Sequence, residues 1–316
     1  MHETHGLSRR EFTHGGLLLA LSAMSGTLAA APGTGASAAS PTVKLRNGRN
    51  VPALGMGSWH LGQGQHPAAQ EIDALRTGLS LGMGLIDTAE MYGDGKSEQL
   101  IGQALQGVHE RPYLVSKVLP SHASARGIPR ACEASLERLG VERLDLYLLH
   151  WRGGARLDEV VPAFEQLRQA GKIAEWGVSN FDVDDMQDLW RVPGGERCLV
   201  NQVLYNVGSR GIEFDLLPWC RDHGVAVMAY SPLGSRALLG NATLARIGQA
   251  HGVAPTAVAL AWAIRSGHVV AIPESGTPAH VRENAAALTL KLRDADLAEL
   301  DRAFPPPRRK QPLDVL

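Results

Sequence analysis

The stretch LDLYLLH at residues 144–150 decides the fold of this 316-residue chain. It is an almost unbroken apolar run that ends on a histidine, and VAVMAYSP at residues 225–232 repeats the pattern. A strand of a parallel sheet is buried on both faces and needs such a run, whereas a strand with one solvated face alternates apolar and polar residues. The two stretches therefore predict buried parallel strands with polar residues at their carboxyl ends.

Strand-like and helix-like segments alternate from residue 43 onward. After a hairpin predicted at 43–51 and turned at Asn47-Gly48, strands are predicted at 53–57, 84–88, 113–118, 144–150, 173–179, 199–204, 225–230 and 269–273. Helices are predicted at 68–81, 97–106, 128–139, 159–170, 183–190, 213–223, 244–251, 255–266 and 278–288. Eight strand–helix units in about 250 residues predict an α/β fold, a (β/α)8 TIM barrel over residues 43–316, with an N-terminal β-hairpin and a C-terminal tail near the barrel mouth.

A doubly wound nucleotide-binding sheet is the alternative fold. Gly55-Met56-Gly57 resembles the beginning of its phosphate-binding turn, but the residue three positions further on is His60, and no clear helix N-terminus follows. That turn needs glycine there so that the backbone can approach a pyrophosphate at a helix N-terminus. The barrel is therefore favoured.

The first 40 residues resemble a twin-arginine signal peptide. Arg9-Arg10 precedes an apolar stretch at 17–28, and Ala36-Ser37-Ala38 suits cleavage. This predicts a leader at 1–40, recognition by the twin-arginine export machinery, and a periplasmic or extracellular protein. The alternatives are a disordered leader or a true start at Met24, with the protein in the cytoplasm. Serine and glycine interrupt the apolar run, so no stable membrane insertion is expected.

The composition indicates an ordinary globular protein. Its 31 basic and 32 acidic side chains nearly balance, which argues against nucleic acid or an anionic membrane as a partner. Cys132, Cys198 and Cys220 are odd in number and widely spaced, without zinc-ligand spacing, so buried structural thiols are expected and no metal site is predicted. A monomer is expected.

Polar residues close several predicted strands, where a barrel builds its active site. Asp87, Lys117 and His150 end three consecutive buried strands, and Tyr92 follows Asp87 in the loop. Any one of them alone has a structural explanation as a helix cap, a snorkelling lysine or a core histidine. Together they place three ionisable groups in one water-poor site, which is costly unless they pair or act chemically.

Their chemical types suggest a division of roles. A lysine ammonium at about 4 Å favours phenolate by up to roughly 4 kcal/mol at an effective dielectric near 20, so Lys117 is expected to lower the pKa of Tyr92 and make it a general acid. Asp87 would hold Lys117 and balance its charge. Neutral His150 would donate a hydrogen bond to a substrate carbonyl.

Seven segments resemble the aldo-keto reductase family, in order and over nearly all of residues 43–305. They are GLIDTAEMYGDGKSE, YLVSK, LDLYLLHW, GKIAEWGVSNF, NQVLYN, VMAYSPLG and AIPESGTPAHVREN. Within the family, the chain is most similar to bacterial reductases of methylglyoxal and related small aldehydes. The resemblance implies NAD(P)H-dependent reduction of small aldehydes and ketoaldehydes, with Asp87, Tyr92, Lys117 and His150 as the catalytic residues.

The resemblance also implies the binding residues. Carried over by position, residues for the nicotinamide carboxamide and ring, the pyrophosphate and the adenosine end would be Ser179, Asn180, Gln202, Tyr230, Ser231, Leu233, Gly234, Ile272, Glu274, Ser275, Gly276, Thr277, His280, Glu283 and Asn284. Trp59 and Trp151 would line the substrate pocket with Tyr92 and His150.

Two of these positions depart from the family pattern. Glu274 and His280 stand where the family commonly has a lysine and an arginine that meet the 2′-phosphate of NADP. A carboxylate repels that phosphate, whereas acidic residues hydrogen-bond a free ribose hydroxyl in NAD sites. NADP(H) is expected as the cofactor, with NAD(H) possible because of Glu274.

Two other functions are compatible with the pattern. One is a non-catalytic nicotinamide-sensing regulatory subunit, which aldehyde-dependent NAD(P)H oxidation would exclude. The other is an aldolase with Lys117 as a Schiff-base nucleophile, against which Asp87 argues because such a lysine usually lacks a carboxylate partner.

Overall fold

The computed structural model describes residues 40–316, so the predicted leader lies outside the described residues except for Ser40. A two-stranded antiparallel hairpin comes first, formed by β1 (Thr42–Lys44) and β2 (Asn50–Pro52). Eight parallel strands follow in sequential order: β3 (Met56–Gly57), β4 (Leu85–Asp87), β5 (Tyr113–Val118), β6 (Leu144–Leu149), β7 (Ile173–Ser179), β8 (Val200–Leu204), β9 (Ala226–Tyr230) and β10 (Val269–Ala271). The predicted barrel with its hairpin is confirmed.

Helices connect the strands and surround the sheet. They are α1 (Ala68–Ser80), α2 (Lys96–Leu105), α3 (Gly127–Leu139), α4 (Leu157–Gln169), α5 (Val183–Arg191), α6 (Leu216–Asp222), α7 (Arg236–Leu239), α8 (Ala242–His251), α9 (Pro255–Ile264), α10 (Pro278–Ala285) and α11 (Asp294–Ala303). The sequence pattern missed α7 and α11. The helix predicted at 213–223 begins later, because the Asp215 side chain accepts a hydrogen bond from the Leu216 amide and caps α6 there.

The barrel closes between its first and last strands through two backbone bridges. Isolated parallel bridges pair Leu54 with Ala271 and Gly57 with Glu274. A Cβ added at Gly57 would lie 2.9 Å from the carbonyl oxygen of Ile272. Glycine at this position therefore serves strand closure, not a phosphate-binding turn.

Large side chains fill the space between the strands and their helices. Every residue of β6 is buried, and the rings of Phe164 and Trp176 stack with centroids 5.4 Å apart. Each such fully buried side chain contributes about 1.5–3 kcal/mol relative to exposure. The three cysteines are buried and free, as expected. Within residues 40–316, no helix is long and apolar enough to cross a membrane.

The C-terminal tail returns to the barrel mouth after α11. Leu313 packs against the core, and the Ser209 hydroxyl donates a hydrogen bond to the Asp314 carboxylate. Leu316 lines the cavity at the carboxyl ends of the strands. The predicted position of the tail is confirmed.

Candidate active site

The four residues proposed for catalysis lie together at the carboxyl ends of β4, β5 and β6. Asp87 is the last residue of β4, Lys117 lies near the end of β5, and His150 directly follows β6. The Lys117 Nζ donates hydrogen bonds to Asp87 Oδ2 at 2.7 Å, to the Thr88 carbonyl oxygen at 2.8 Å and to Tyr92 Oη at 3.0 Å. One ammonium group thus connects the carboxylate to the phenol.

Lys117 is held in its charged form. Burial disfavours the ammonium, but the Asp87 carboxylate and Tyr92 outweigh that effect and raise the pKa of Lys117 above its usual value. The three hydrogen bonds use all three N–H donors of the ammonium. A Schiff-base nucleophile needs a free amine lone pair, so this geometry argues against the aldolase alternative.

The pKa of Tyr92 differs from the expectation drawn from the sequence. Burial raises the pKa of Tyr92 and outweighs the opposing attraction of the Lys117 ammonium, so the expected lowering is wrong. The phenol is therefore protonated at neutral pH. Because Lys117 donates to the phenol oxygen, the hydroxyl hydrogen of Tyr92 is free to point elsewhere.

His150 is a neutral imidazole beside this phenol. Burial, together with the nearby Lys117 charge, lowers the pKa of His150 to about 3. Its ring meets the Tyr92 ring edge-on, with centroids 5.7 Å apart. The buried Nδ1 atom has no hydrogen-bond partner among the described residues. A neutral imidazole carries one N–H donor, which suits hydrogen bonding to an uncharged oxygen.

A cavity of about 440 Å³ adjoins the cluster and collects most of the predicted binding residues. Lys117 lies beneath its wall, linked to Asp87 and Tyr92. The predicted residues that line the cavity are Trp59, Asp87, Tyr92, His150, Trp151, Ser179, Asn180, Gln202, Tyr230, Ser231, Leu233, Gly234, Ile272 and Glu274.

Two residues that line the cavity, Asn180 and Ser231, lie at unusual backbone turns. Asn180 and Ser231 adopt left-handed conformations, with φ of 59° and 45°. Asparagine tolerates this region better than most residues, and the Tyr230 hydroxyl fixes the Asn180 amide by donating to its Oδ1 at 3.0 Å. Asn206 donates to the Ser231 carbonyl oxygen at 3.1 Å and so holds the second turn. Sequence reasoning did not single out Asn206, although it ends the NQVLYN segment.

Six predicted cofactor residues do not line this cavity: Ser275, Gly276, Thr277, His280, Glu283 and Asn284. The first three lie in the turn before α10, and the last three lie within that helix. The Ser275 hydroxyl oxygen accepts a hydrogen bond from the Thr277 amide at 3.1 Å, and the Gln70 side chain donates to the Gly276 carbonyl oxygen at 3.2 Å. Their contact with the adenosine end of a cofactor stays a prediction.

Glu274 lines the cavity but directs its carboxylate to His60. The His60 amide donates to Glu274 Oε2 at 3.0 Å, and His60 Nδ1 lies 3.0 Å from Oε1. A carboxylate only accepts hydrogen bonds, so the Nδ1 atom carries a proton in this contact. His60 was recognised in the sequence only as a break in a glycine pattern.

Gln202 has a contact that the sequence did not predict. Its Nε2 donates to Asp87 Oδ1 at 2.7 Å, so the amide and the Lys117 ammonium each bind one oxygen of the same carboxylate. Gln202 therefore belongs to the hydrogen-bonded cluster of Asp87, Lys117 and Tyr92, and it also lines the cavity. Of the other lining residues that sequence reasoning missed, Met91 adjoins Tyr92, whereas Leu239 and Leu316 are not adjacent in the sequence to any predicted residue.

The fold and the site together define a (β/α)8 barrel with a cluster of buried ionisable side chains at the carboxyl ends of its strands, the arrangement of an enzyme active site. Residues 53–304 match the model of the aldo/keto reductase family. The chain belongs to this family and is an oxidoreductase. Among residues 40–316, no group of three His, Cys, Asp or Glu side chains is arranged to hold a metal ion.

Relatives of known sequence and structure support this assignment. The chain is 50% identical over 272 residues to methylglyoxal reductase YeaE of Escherichia coli (strain K12), a match covering 84% of this chain and 96% of that protein. It is 33% identical over 263 residues to glyoxal reductase of Bacillus subtilis (strain 168), covering 82% and 91%. A crystal structure of an aldo/keto reductase from Klebsiella pneumoniae in complex with NADP and acetate aligns with a TM-score of 0.85 and 48% identity, covering 88% of this chain and all of that chain.

Proposed function

We propose that this enzyme reduces small aldehydes and ketoaldehydes to alcohols with NADPH, and that Tyr92 donates the proton. The observation that carries the proposal is the Lys117 ammonium, which hydrogen-bonds both Asp87 and Tyr92 while the phenol lines the cavity. A positioned general acid contributes about 10²–10⁴-fold to such a reaction. Reduction of a carbonyl needs one because negative charge develops on the oxygen.

The side chains around the cavity fit a nicotinamide cofactor. The Ser179 hydroxyl and the Asn180 amide nitrogen lie 3.3 Å apart, and the Tyr230 ring lines the same cavity beside them. Polar groups of this kind suit a carboxamide, and the flat ring of Tyr230 suits stacking on a planar heterocycle. When bound, NADPH supplies the hydride. The complex of the Klebsiella pneumoniae relative with NADP supports NADP(H).

The residues of this chain divide the remaining chemistry. Tyr92 holds its proton because burial raises the pKa of the phenol, so the donor is in its acidic form at neutral pH. His150 is neutral and can donate a hydrogen bond to the carbonyl oxygen, which fixes that oxygen near the phenol. Asp87 and Gln202 keep the Lys117 ammonium and its hydrogen bonds in place.

The substrate class is supported by the relatives and by the shape of the cavity. YeaE is named a methylglyoxal reductase, and the Bacillus subtilis relative a glyoxal reductase. Trp59 and Trp151 are partly exposed at the cavity, with 43% and 38% of their surface accessible. These rings offer apolar walls for a short uncharged carbonyl compound.

The test is a panel of methylglyoxal, glyoxal and simple aldehydes with purified protein, followed by the loss of NADPH or NADH absorbance. We expect turnover of the dicarbonyls with NADPH. If NADPH binds but no carbonyl in the panel is reduced, the protein is not an aldehyde reductase. Borohydride trapping of substrate on Lys117 would support the aldolase instead.

We also propose that the first 40 residues export the folded monomer by the twin-arginine route. The Arg9-Arg10 pair before an apolar stretch supports this, as do three buried free cysteines, which suit folding in a reducing compartment. Such a route would let the barrel cross the membrane with its cofactor bound. Fractionation of tagged protein is the test. Export that persists when Arg9 and Arg10 are both replaced by lysine would contradict the proposal.

A further inference from the structure

The contact between Glu274 and His60 joins the two sides of the barrel closure. Glu274 follows β10, and His60 follows β3 by three residues. Two hydrogen bonds of 3.0 Å connect them, one to the His60 backbone amide and one to its ring. The backbones are already paired next to this point, since Gly57 bridges Glu274. The carboxylate thus adds a second attachment for the loop after β3.

The loop that Glu274 holds carries a wall of the cavity. The Trp59 and His60 rings stack with centroids 4.8 Å apart and planes at 27°. Trp59 is 43% exposed, and His60 is the aromatic ring that stacks on its indole. Fixing His60 therefore limits the motion of Trp59.

We propose that Glu274 is a positioning residue for the substrate pocket, which holds Trp59 through His60. This inference rests on the proposed carbonyl reductase activity. Both carboxylate oxygens are used by His60, on the loop after β3, and neither reaches the Ser275 to Thr277 turn before α10. Glu274 therefore acts on how the carbonyl substrate binds, not on the choice between NADP and NAD.

The chain contains a matched pair outside the cavity. Glu90 accepts a hydrogen bond from the Leu119 amide at 2.7 Å, and its Oε1 lies 3.0 Å from His122 Nδ1. This pair has the same chemistry and the same histidine contact distance as Glu274 and His60. Neither Glu90 nor His122 lines the cavity, so His122→Ala is the control for His60→Ala.

The first experiment separates substrate binding from cofactor binding. We expect Glu274→Ala and His60→Ala to raise the KM for an aldehyde of the assay panel about five- to tenfold, the effect of losing a hydrogen bond to a charged group. Glu274→Gln keeps one acceptor oxygen and should give an intermediate increase. The kcat and the Kd for NADPH should stay within about twofold in these variants, and His122→Ala should behave as the unmodified enzyme.

A second measurement does not depend on activity. Hydrogen exchange of the peptide covering residues 58–64 should become faster in Glu274→Ala, because the His60 amide loses its acceptor. Unchanged exchange would refute the attachment itself, even if the enzyme reduces no carbonyl compound. A tenfold change in the Kd for NADPH with an unchanged KM for the aldehyde would instead assign Glu274 to the cofactor and overturn the inference.

Discussion

Two acid–base pairs at the barrel mouth differ mainly in burial. Asp87 and Lys117 lie 2.7 Å apart with side chains 3% and 0% exposed, whereas Glu274 and His60 lie 3.0 Å apart with side chains 27% and 45% exposed. The buried pair is completed by Gln202, Thr88 and Tyr92, which satisfy its remaining hydrogen-bonding groups. In the exposed pair, water can satisfy the remaining hydrogen-bonding groups.

The difference shows why only one pair is suited to chemistry. Charges removed from water cost several kcal/mol each, so the buried pair persists only when every partner is present. The same low dielectric makes its field strong at the Tyr92 oxygen, 3.0 Å from the ammonium. Solvent weakens the exposed pair, which can hold a loop but has a smaller influence on a reacting group.

The largest expected effect on activity comes from removing the Tyr92 hydroxyl, which the buried pair holds through Lys117. Tyr92→Phe should lower kcat for carbonyl reduction about 10³-fold, because it removes the proposed proton donor. The Kd for NADPH, measured by fluorescence titration, should change little. Appreciable turnover in this variant would mean that another group or water delivers the proton.

Breaking the buried pair should cost stability as well as activity. Lys117→Met leaves the Asp87 carboxylate buried without its cation, so the free energy of unfolding should fall by about 3–5 kcal/mol in urea denaturation. The double variant Asp87→Asn with Lys117→Met removes both charges and should recover most of that loss while staying inactive. If the double variant is no more stable than Lys117→Met, the charge is not the cause.

The sequence predicted the buried pair of Asp87 and Lys117 because both are ionisable residues at the ends of apolar strands. Asp87, Lys117 and His150 each end such a strand, and strand order in a barrel brings the ends together. The period of apolar residues therefore predicted the fold, and it predicted that Asp87, Lys117 and His150 lie close together. Tyr92 lies in the loop after Asp87, and it was recognised as a candidate proton donor from its expected position beside Lys117, a role that the family resemblance also implies.

The pKa of Tyr92 and the contact between Glu274 and His60 were not predicted, because both depend on which groups meet in the folded protein. The pKa of Tyr92 depends on two opposing effects, burial and the Lys117 charge, and the sequence does not show that burial outweighs the charge. The His60 contact joins residues 214 positions apart in the chain, and no periodic pattern connects them. Glu274 was noticed in the sequence because the family commonly has a lysine at that position. The sequence did not indicate that His60 is its hydrogen-bond partner.

His150 is a third buried group, and its effect should appear as a pH dependence. Its pKa falls from 6.5 to about 3 on folding, so between these values the unfolded chain binds the extra proton and the folded protein does not. Stability should therefore decrease as pH falls through this range, by on the order of 3 kcal/mol between pH 7 and pH 4. In His150→Gln this contribution should be absent.

The measurement is urea denaturation of both proteins at a series of pH values. Other groups contribute equally to the two curves, so the difference between them isolates His150. Parallel curves from pH 7 to pH 4 would show that folding does not lower the pKa of His150, so the folded protein would take up this proton over the same pH range as the unfolded chain.

The smallest effect on stability should come from the exposed pair. Glu274→Ala and His60→Ala should each change the free energy of unfolding by less than about 1 kcal/mol, because solvent replaces the lost hydrogen bonds at half-exposed side chains. For a barrel of this size that corresponds to a shift in Tm of about 2–4 °C or less, measured by thermal unfolding. A loss comparable to that of Lys117→Met would show that the pair helps to close the barrel between β3 and β10. Burial would then not be what separates the two pairs.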